Sequence, residues 1–208
     1  MLLQNFFSIT SILLYGLLLE MVLSMSRKEI QAILFIHNKF RQRMAKTNPA
    51  FKIANMQKMK WDSAQQSTAE KHLSYGQDTA KHFNTGTLKG RFQVLSKADI
   101  REIIETWYRQ GEKFNFQDKR CLSDCPQFAN LVYPLMNTVG CEKKSNEDDS
   151  DPSVILGCSY GTNQFVLYKD KFEFEYGEPC SQCPEPNNFC DRNLCSRCNA
   201  ISRKRNCY

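Results

Sequence analysis

Ten cysteines, all lying between positions 121 and 207, constrain what this chain of 208 residues can fold into more than any other feature. They stand at 121, 125, 141, 158, 180, 183, 190, 195, 198 and 207. An even count gathered in one half of a chain suits an oxidising compartment and up to five disulfides. The residues before Cys121 hold no cysteine, so an ordinary apolar core must hold them together. The last thirty or so residues have too few apolar side chains to fold without covalent help. The expected organisation is therefore a core domain over residues 25–177 and a cysteine-rich extension over 178–208.

Residues 1–24 read as a signal peptide. Phe6 to Leu19 form a nearly unbroken apolar run, too short to cross a bilayer as a helix. Val22 and Ser24 are small enough for the signal-peptidase pockets, which places cleavage after Ser24 and the mature start at Met25. A signal anchor or a buried helix would need an apolar partner later in the chain, and no segment offers one. Removing residues 1–24 removes one acid, Glu20, and no base, so the formal charge of +6 becomes +7. This mild basicity favours solubility and anionic surfaces. No clustering of bases with aromatics supports nucleic-acid binding.

Three helices are legible. Ile30, Ile33, Leu34, Ile36, His37, Phe40 and Met44 recur at helical spacing and predict a helix over 27–46, stopped by Asn48-Pro49. Met56, Met59, Trp61, Ala64, Ala69 and Leu73 predict a second, capped by Asp62 or Ser63. Asp99 reads as the N-cap of a third, carrying Ile100, Ile103, Ile104 and Trp107 and ending near Gly111. Between them, residues 74–97 are rich in Gly, Thr, Asn and Lys and read as an irregular connection lining a cleft. From Phe128 the pattern turns β-rich: Phe128 to Tyr133, Thr138 to Cys141, Val154 to Tyr160 and Phe165 to Tyr168 are the expected strands, followed by alternating Phe172, Phe174 and Tyr176. The acidic stretch Glu147, Asp148, Asp149 and Asp151 lacks the Gly and the twelfth-position Glu of an EF-hand loop, and reads as a solvated hairpin tip.

Catalytic motifs are missing. There is no Gly-x-Ser-x-Gly elbow and no phosphate-cradling glycine loop. Cys180-x-x-Cys183 with Cys195-x-x-Cys198 has zinc-ribbon spacing, but behind a signal peptide disulfides take precedence over zinc. No Asn-x-Ser/Thr acceptor occurs, so N-glycosylation is not expected.

His37-Asn38-x-x-Arg41, Asn55-Met-x-Lys-Met-x-Trp61-Asp62 and Trp107-Tyr108 with Phe114-Asn115-Phe116 occur in that order. They are followed by Phe128-x-x-Leu-Val-Tyr133, Val139-Gly-Cys141 and Gly157-Cys158-Ser-Tyr160. In that order and spacing the chain resembles the CAP superfamily (cysteine-rich secretory protein, antigen 5 and pathogenesis-related) over residues 27–177. It looks more like the venom-allergen-like secreted proteins of parasitic worms than like the plant members. Tyr176-Gly-x-Pro-Cys180-Ser-x-Cys183-Pro with Leu194-Cys195 and Cys198 resembles the hinge that follows the core in cysteine-rich secretory proteins. The resemblance implies an α+β fold, a three-layer α-β-α sandwich around a small antiparallel sheet. It also implies the pairs Cys180–Cys190 and Cys183–Cys195, with Cys141 and Cys158 on neighbouring strands able to pair. Only Cys198 and Cys207 remain beyond the hinge, too few for the channel-binding module that some members append. His37 and Asn38 read as residues that hydrogen-bond helix ends and loops.

Many members of that superfamily hold two histidines and two glutamates around a cleft, where they bind a divalent metal or act as bases. Carried over by position, the first histidine is His82. The glutamate of the Gly-Glu-Asn-Leu motif becomes Arg91, with Gly90 to Gln93 as the motif. The second glutamate becomes Gln110 and the second histidine Gln127. A cation and two neutral amides neither attract a metal ion nor accept protons at neutral pH, so neither metal nor cofactor is expected and the chain reads as no enzyme. Glu105 or Glu112 are the carboxylates able to approach from another turn. The function implied is a secreted, non-catalytic protein that recognises an extracellular or host protein and modulates host immunity. The alternative is sterol or fatty-acid transport through a loop carrying Trp107, Tyr108, Phe114 and Phe116, for which core packing is the plainer account. A residual metal-dependent hydrolase ranks last.

Overall fold

In a computed structural model of the protein, which describes residues 25–75, 83–90, 94–146, 150–162 and 172–197, the first helix starts at a capping box. Helix α1 spans Arg27–Thr47. The Ser26 hydroxyl accepts from the Glu29 amide while Glu29 Oε2 accepts from the Ser26 amide at 2.8 Å, satisfying two of the orphan donors of a helix start. The other Glu29 oxygen accepts from the Leu95 amide at 2.8 Å and from Lys143 Nζ at 2.7 Å. A local cap thereby becomes a buried junction between three parts of the chain. Burial works against the Glu29 anion, but Lys143 and the two amides outweigh it and hold its pKa below the ordinary carboxylate range.

Helix α2, Ser63–Tyr75, is preceded by Asp62, whose Oδ1 accepts from the Gln65 amide at 3.0 Å. Helix α3, Lys97–Arg109, is capped by Ser96 and not by the expected Asp99. Asp99 sits at the third helical position and closes a second capping box, returning a bond to the Ser96 amide at 2.7 Å. The helix tightens into a 3₁₀ turn, Gln110–Lys113. A Cβ on Gly111 would lie 2.2 Å from the Phe128 ring, so only glycine permits that approach.

Two further expectations about local structure are corrected. The run beginning at Phe128 is not a strand but part of helix α4, Pro126–Val132. Pro126 supplies the preset φ of a first helical residue, and Phe128 to Val132 are all buried. A segment covered on every side shows no period that separates helix from strand. The connection over 74–97 is likewise not wholly irregular, because it contains strand β2, Phe83–Lys89. Its Asn, Thr and Gly are loop-like in composition, yet the edge of a partner strand orders them. Gly86 serves close packing there, since a Cβ would lie 2.4 Å from Ile103 of α3.

Strand β1 is Lys60–Trp61, β5 is Thr138–Asn146 and β6 is Ser153–Gly161. The sheet order is β1-β5-β6-β2, antiparallel except for the two-residue parallel pair of β1 with β5. One face receives α2, whose Gln66 amide would lie 2.0 Å from a Cβ on Gly140. Gly86 opens the other face to Ile103 and Trp107 of α3. The result is the expected α+β architecture, with helices on both faces of the sheet. Cys141 and Cys158 lie directly opposite in the β5–β6 register and are joined by a disulfide. Of the acidic stretch between β5 and β6 in sequence, residues 147–149 lie outside the described ones, as does the expected strand from Phe165 to Tyr168. Phe172 and Phe174 are buried, and Tyr176 bridges to Ile53.

A second short pair, β3 (Phe114–Asn115) and β4 (Arg120–Cys121), lies beside the Cys121–Cys125 disulfide. The tail forms a hairpin of β7, Phe189–Asp191, and β8, Leu194–Ser196. Cys180 is bonded to Cys190 and Cys183 to Cys195. The hairpin does not stand apart from the core. The Cys195 amide donates to the Met56 carbonyl at 2.8 Å, and Cys195 accepts from the Lys58 amide at 2.8 Å. Leu194 and Cys195 are buried against the core, and Lys58 Nζ reaches the Asp191 carboxylate at 2.6 Å.

Candidate functional site

The strongest polar constellation lies where α4, the end of α3 and β2 meet. Gln110 Nε2 donates to Gln127 Oε1 at 2.7 Å, and Gln110 Oε1 accepts from the Gln127 amide at 3.1 Å. The remaining Gln127 donor, Nε2, goes to the Thr85 carbonyl at 2.8 Å, which also accepts from Trp107 Nε1 at 2.9 Å. Two of the four cleft positions carried over from sequence are thus brought into direct contact. The other two, His82 and Arg91, lie outside the described residues. Between those two positions runs β2, whose end residues Phe83 and Lys89 are about 20 Å apart at the ordinary strand rise.

Sequence reasoning missed the residue that links this pair to the interior. Asn84 Nδ2 donates to the Gln127 carbonyl at 2.9 Å and to the Tyr160 hydroxyl at 3.1 Å, while Asn84 Oδ1 accepts from Asn130 Nδ2 at 2.9 Å. Tyr160 OH lies 3.0 Å from His37 Nε2, and His37 Nδ1 lies 2.9 Å from the Ile33 carbonyl. A carbonyl only accepts, so Nδ1 carries the proton and Nε2 accepts from Tyr160. Burial drives the His37 pKa down to about 4, the Ile33 carbonyl offsets this in part, and Arg41 adds to the depression. His37 is therefore neutral at physiological pH and reads as a strut. It bonds a strand residue and its own helix, rather than a helix end or a loop as expected. Asn38 does hold a loop, its amide donating to the Met59 carbonyl at 3.0 Å and accepting from the Met59 amide at 2.8 Å.

Beneath this network Arg41 is completely buried and uses all five of its donors on carbonyls. Nε donates to Gln57, Nη1 to Leu131 and Tyr133, and Nη2 to Pro134 and Met136, at 2.8 to 3.2 Å. Burial lowers its pKa to about 9, which leaves it charged at neutral pH.

The carboxylates nearest in sequence do not complete a metal set at the two glutamines. Glu105 pairs with Arg109 at 3.4 Å, and both it and Glu112 border a different groove, of about 330 Å³, beside Tyr108, Phe114 and Phe116. Trp107 and Phe114 are core residues, and Tyr108 and Phe116 are half-buried; Tyr108 stacks on Phe40 at 4.5 Å. Among the described residues, metal-ligating atoms converge at Cys180, Cys183 and Cys195, within 4.8 Å of one another, and all three sulfurs are in disulfides. Cys198 and Cys207 lie outside the described residues. No helix among the described residues is long and apolar enough to cross a membrane.

Residues 34–160 match the cysteine-rich secretory protein (CAP) family. The chain belongs to the CAP family. Human peptidase inhibitor 16 is 24% identical over 187 residues, covering 83% of this chain and 37% of the relative. The mouse protein of the same name is 23% identical over 185 residues, covering 83% of this chain and 34% of the relative. The chain thus spans little more than a third of these relatives' length. Among solved CAP structures, zinc-bound NaASP2 aligns with TM-score 0.58 and 23% identity over 83% of this chain and 97% of that one. The hookworm platelet inhibitor aligns with TM-score 0.57 and 16% identity over 76% and 80%. At these identities the likeness carries the CAP fold, and Gln110 and Gln127 must be judged by their own chemistry.

Proposed function

We propose that this CAP protein is secreted and acts outside the cell by recognising another protein, without chemistry at its cleft. The observation that carries the reading is the bond between Gln110 and Gln127 at 2.7 Å. The facing ends of two neutral amides satisfy each other, where a metal site would need unprotonated imidazole or carboxylate. Asn84 sharpens the reading of strand β2. If its side chain marks the asparagine of the family's Gly-Glu-Asn-Leu motif, the glutamate position holds Phe83; in the alternative alignment it holds Arg91. Neither provides a carboxylate. The inhibitory names of human peptidase inhibitor 16 and the hookworm platelet inhibitor support an extracellular protein as the partner, and receptors on host immune cells are the class that the worm resemblance implies.

The test is calorimetric titration of the secreted protein with zinc, alongside surface-resonance screening against purified receptor ectodomains. Saturable binding to an ectodomain with no zinc uptake is expected. One-to-one zinc binding that is lost in His82→Ala or Gln127→Ala would overturn the cleft reading, although NaASP2 was solved with zinc. A second reading, fatty-acid or sterol carriage, draws support from the groove beside Tyr108, Phe114 and Phe116. Radiolabelled palmitate and cholesterol test it, and failure of both to bind saturably removes it.

A further inference from the structure

We infer that the joint between α1, the segment 58–61 and the tail hairpin is a binding site for a small organic anion with an apolar or aromatic body. A concavity of about 400 Å³ opens there, within the size range of small-molecule sites. Its apolar lining is Leu34 and Phe35 of α1 and Trp61, with Met59, itself a core residue, also at the site. Of the polar groups lining it, those of Asn38, Met59 and Trp61 already have partners. Asn38 and the Met59 backbone bond each other, and Trp61 Nε1 donates to Gln66 at 3.2 Å. At these positions a ligand body meets little polar desolvation, and the side-chain amides of Gln31 and Gln42 complete the lining.

Positive charge prevails among the lining residues. Lys39, Lys58, Lys60 and Arg192 line the opening, and the sole acid among the lining residues is Asp191. Asp191 is already engaged, by Lys58 at 2.6 Å and Arg192 at 3.4 Å. Lys39 and Lys60 have no carboxylate partner among the described residues. Lys39 instead lies over the Phe35 ring, 5.6 Å from its centroid. A few cations at the mouth of an apolar pocket select an anion by position and the body by burial.

The tail builds one side of this site. Arg192 and Asn193 both hold positive φ, at 51° and 67°, so the β7–β8 connection is a two-residue turn of the kind that suits the twist of a hairpin. The turn is fixed against the core through Lys58 and through β8, so Arg192 is placed at the rim by the same bonds that dock the tail. The site is distinct from the amide cleft and from the groove at Tyr108. It stands or falls separately from both functional readings above.

The test uses a matched pair of fluorescent probes, 8-anilinonaphthalene-1-sulfonate and its uncharged parent N-phenyl-1-naphthylamine, titrated into the secreted protein and checked by calorimetry for stoichiometry. One sulfonate per chain is expected, bound on the order of tenfold more tightly than the neutral parent, as one favourable rim charge pair requires. Lys39→Glu with Lys60→Glu should weaken the sulfonate at least tenfold and leave the parent within about twofold. Leu34→Trp, which fills the pocket, should abolish binding of both, whereas Arg43→Glu in the other groove should change neither. Near-ultraviolet circular dichroism confirms that each variant is folded. Equal affinity for the two probes, an unchanged sulfonate affinity in the folded double lysine variant, or no saturable sulfonate binding would overturn the inference.

Discussion

The sheet-and-helix core and the tail hairpin solve the same problem with different proportions of packing and crosslinking. In the core, apolar side chains from α1, α3, α4 and the sheet are buried together, a single cross-strand disulfide joins β5 to β6, and one buried cation ties the connecting loops to α1. In the tail, two interlocked disulfides close loops of 10 and 12 residues around a hairpin of two three-residue strands that could not bury enough surface alone. The lesson lies in the junction. The tail borrows its last stabilisation from the core through backbone bonds at residues 56–58, so crosslinks shape it while docking orients it.

Four experiments would break or sharpen that contrast. The largest effect is expected for Arg41→Met, which takes a donor from five buried carbonyls; of these, Tyr133 and Pro134 keep a backbone amide, from Met136 and Gln57. A loss on the order of 5 kcal/mol follows from the cost of orphaning buried polar groups, read by urea unfolding. A loss below about 1 kcal/mol would show that the loops are held by packing alone.

The next effect is on pH dependence. His37 is depressed from 6.5 to about 4, so between those values the unfolded chain binds the proton and the folded chain does not. Its contribution is complete above pH 6.5 and is lost as pH falls toward 4, amounting to about 3 kcal/mol across the window. His37→Gln should flatten the stability profile between pH 6.5 and 4; a slope unchanged in that variant would remove His37 as its source. Glu29, whose pKa is lowered, acts in the same direction below its ordinary range, so the comparison must be made between variants and not read from a single curve.

Replacing Cys183 and Cys195 together by serine removes the 12-residue crosslink, worth about 3 kcal/mol in the chain-entropy account. Hydrogen exchange should rise at β7 and β8 while β5 and β6 keep their protection. Loss of protection in both regions at once would mean that core and tail unfold as one unit. The smallest effect belongs to the exposed pair of Lys52 with Glu178, where Lys52→Ala should cost less than about 1 kcal/mol in the thermal midpoint analysis.

Where periodicity and cap chemistry agreed, the fold was legible before the structure. Helix α1 starts one residue after Ser26 and ends one residue beyond its expected boundary, because the apolar stripe and Asn48-Pro49 point the same way. Asp99 misled by a single turn: a carboxylate at the third helical position and one at the cap look alike without knowing which amide each reaches. The helix at Phe128 was hidden because burial on all sides erases the period. Strand β2 was hidden because its order is lent by β6. At the cleft, Gln110 and Gln127 were found by position, whereas Asn84 was not. It sits in a strand that composition disguised, and its role comes from Asn130, Tyr160 and Gln127, which are distant in sequence. The Cys121–Cys125 bond was not assigned in advance, since an even cysteine count does not determine connectivity.

The Arg41 clamp also sets a schedule for synthesis. Its donor side is made early, in α1, but four of its five acceptors lie 90 to 95 residues later, at Leu131 through Met136. A chain emerging from its N-terminus therefore carries a cation destined for the interior with nowhere dry to put it until most of the core has been produced. Closing so long a loop makes this a high-separation contact, of the kind that slows folding. Chains interrupted before residue 136 are expected to remain open to proteases, and the completed clamp marks the point at which the first helix is committed to the core.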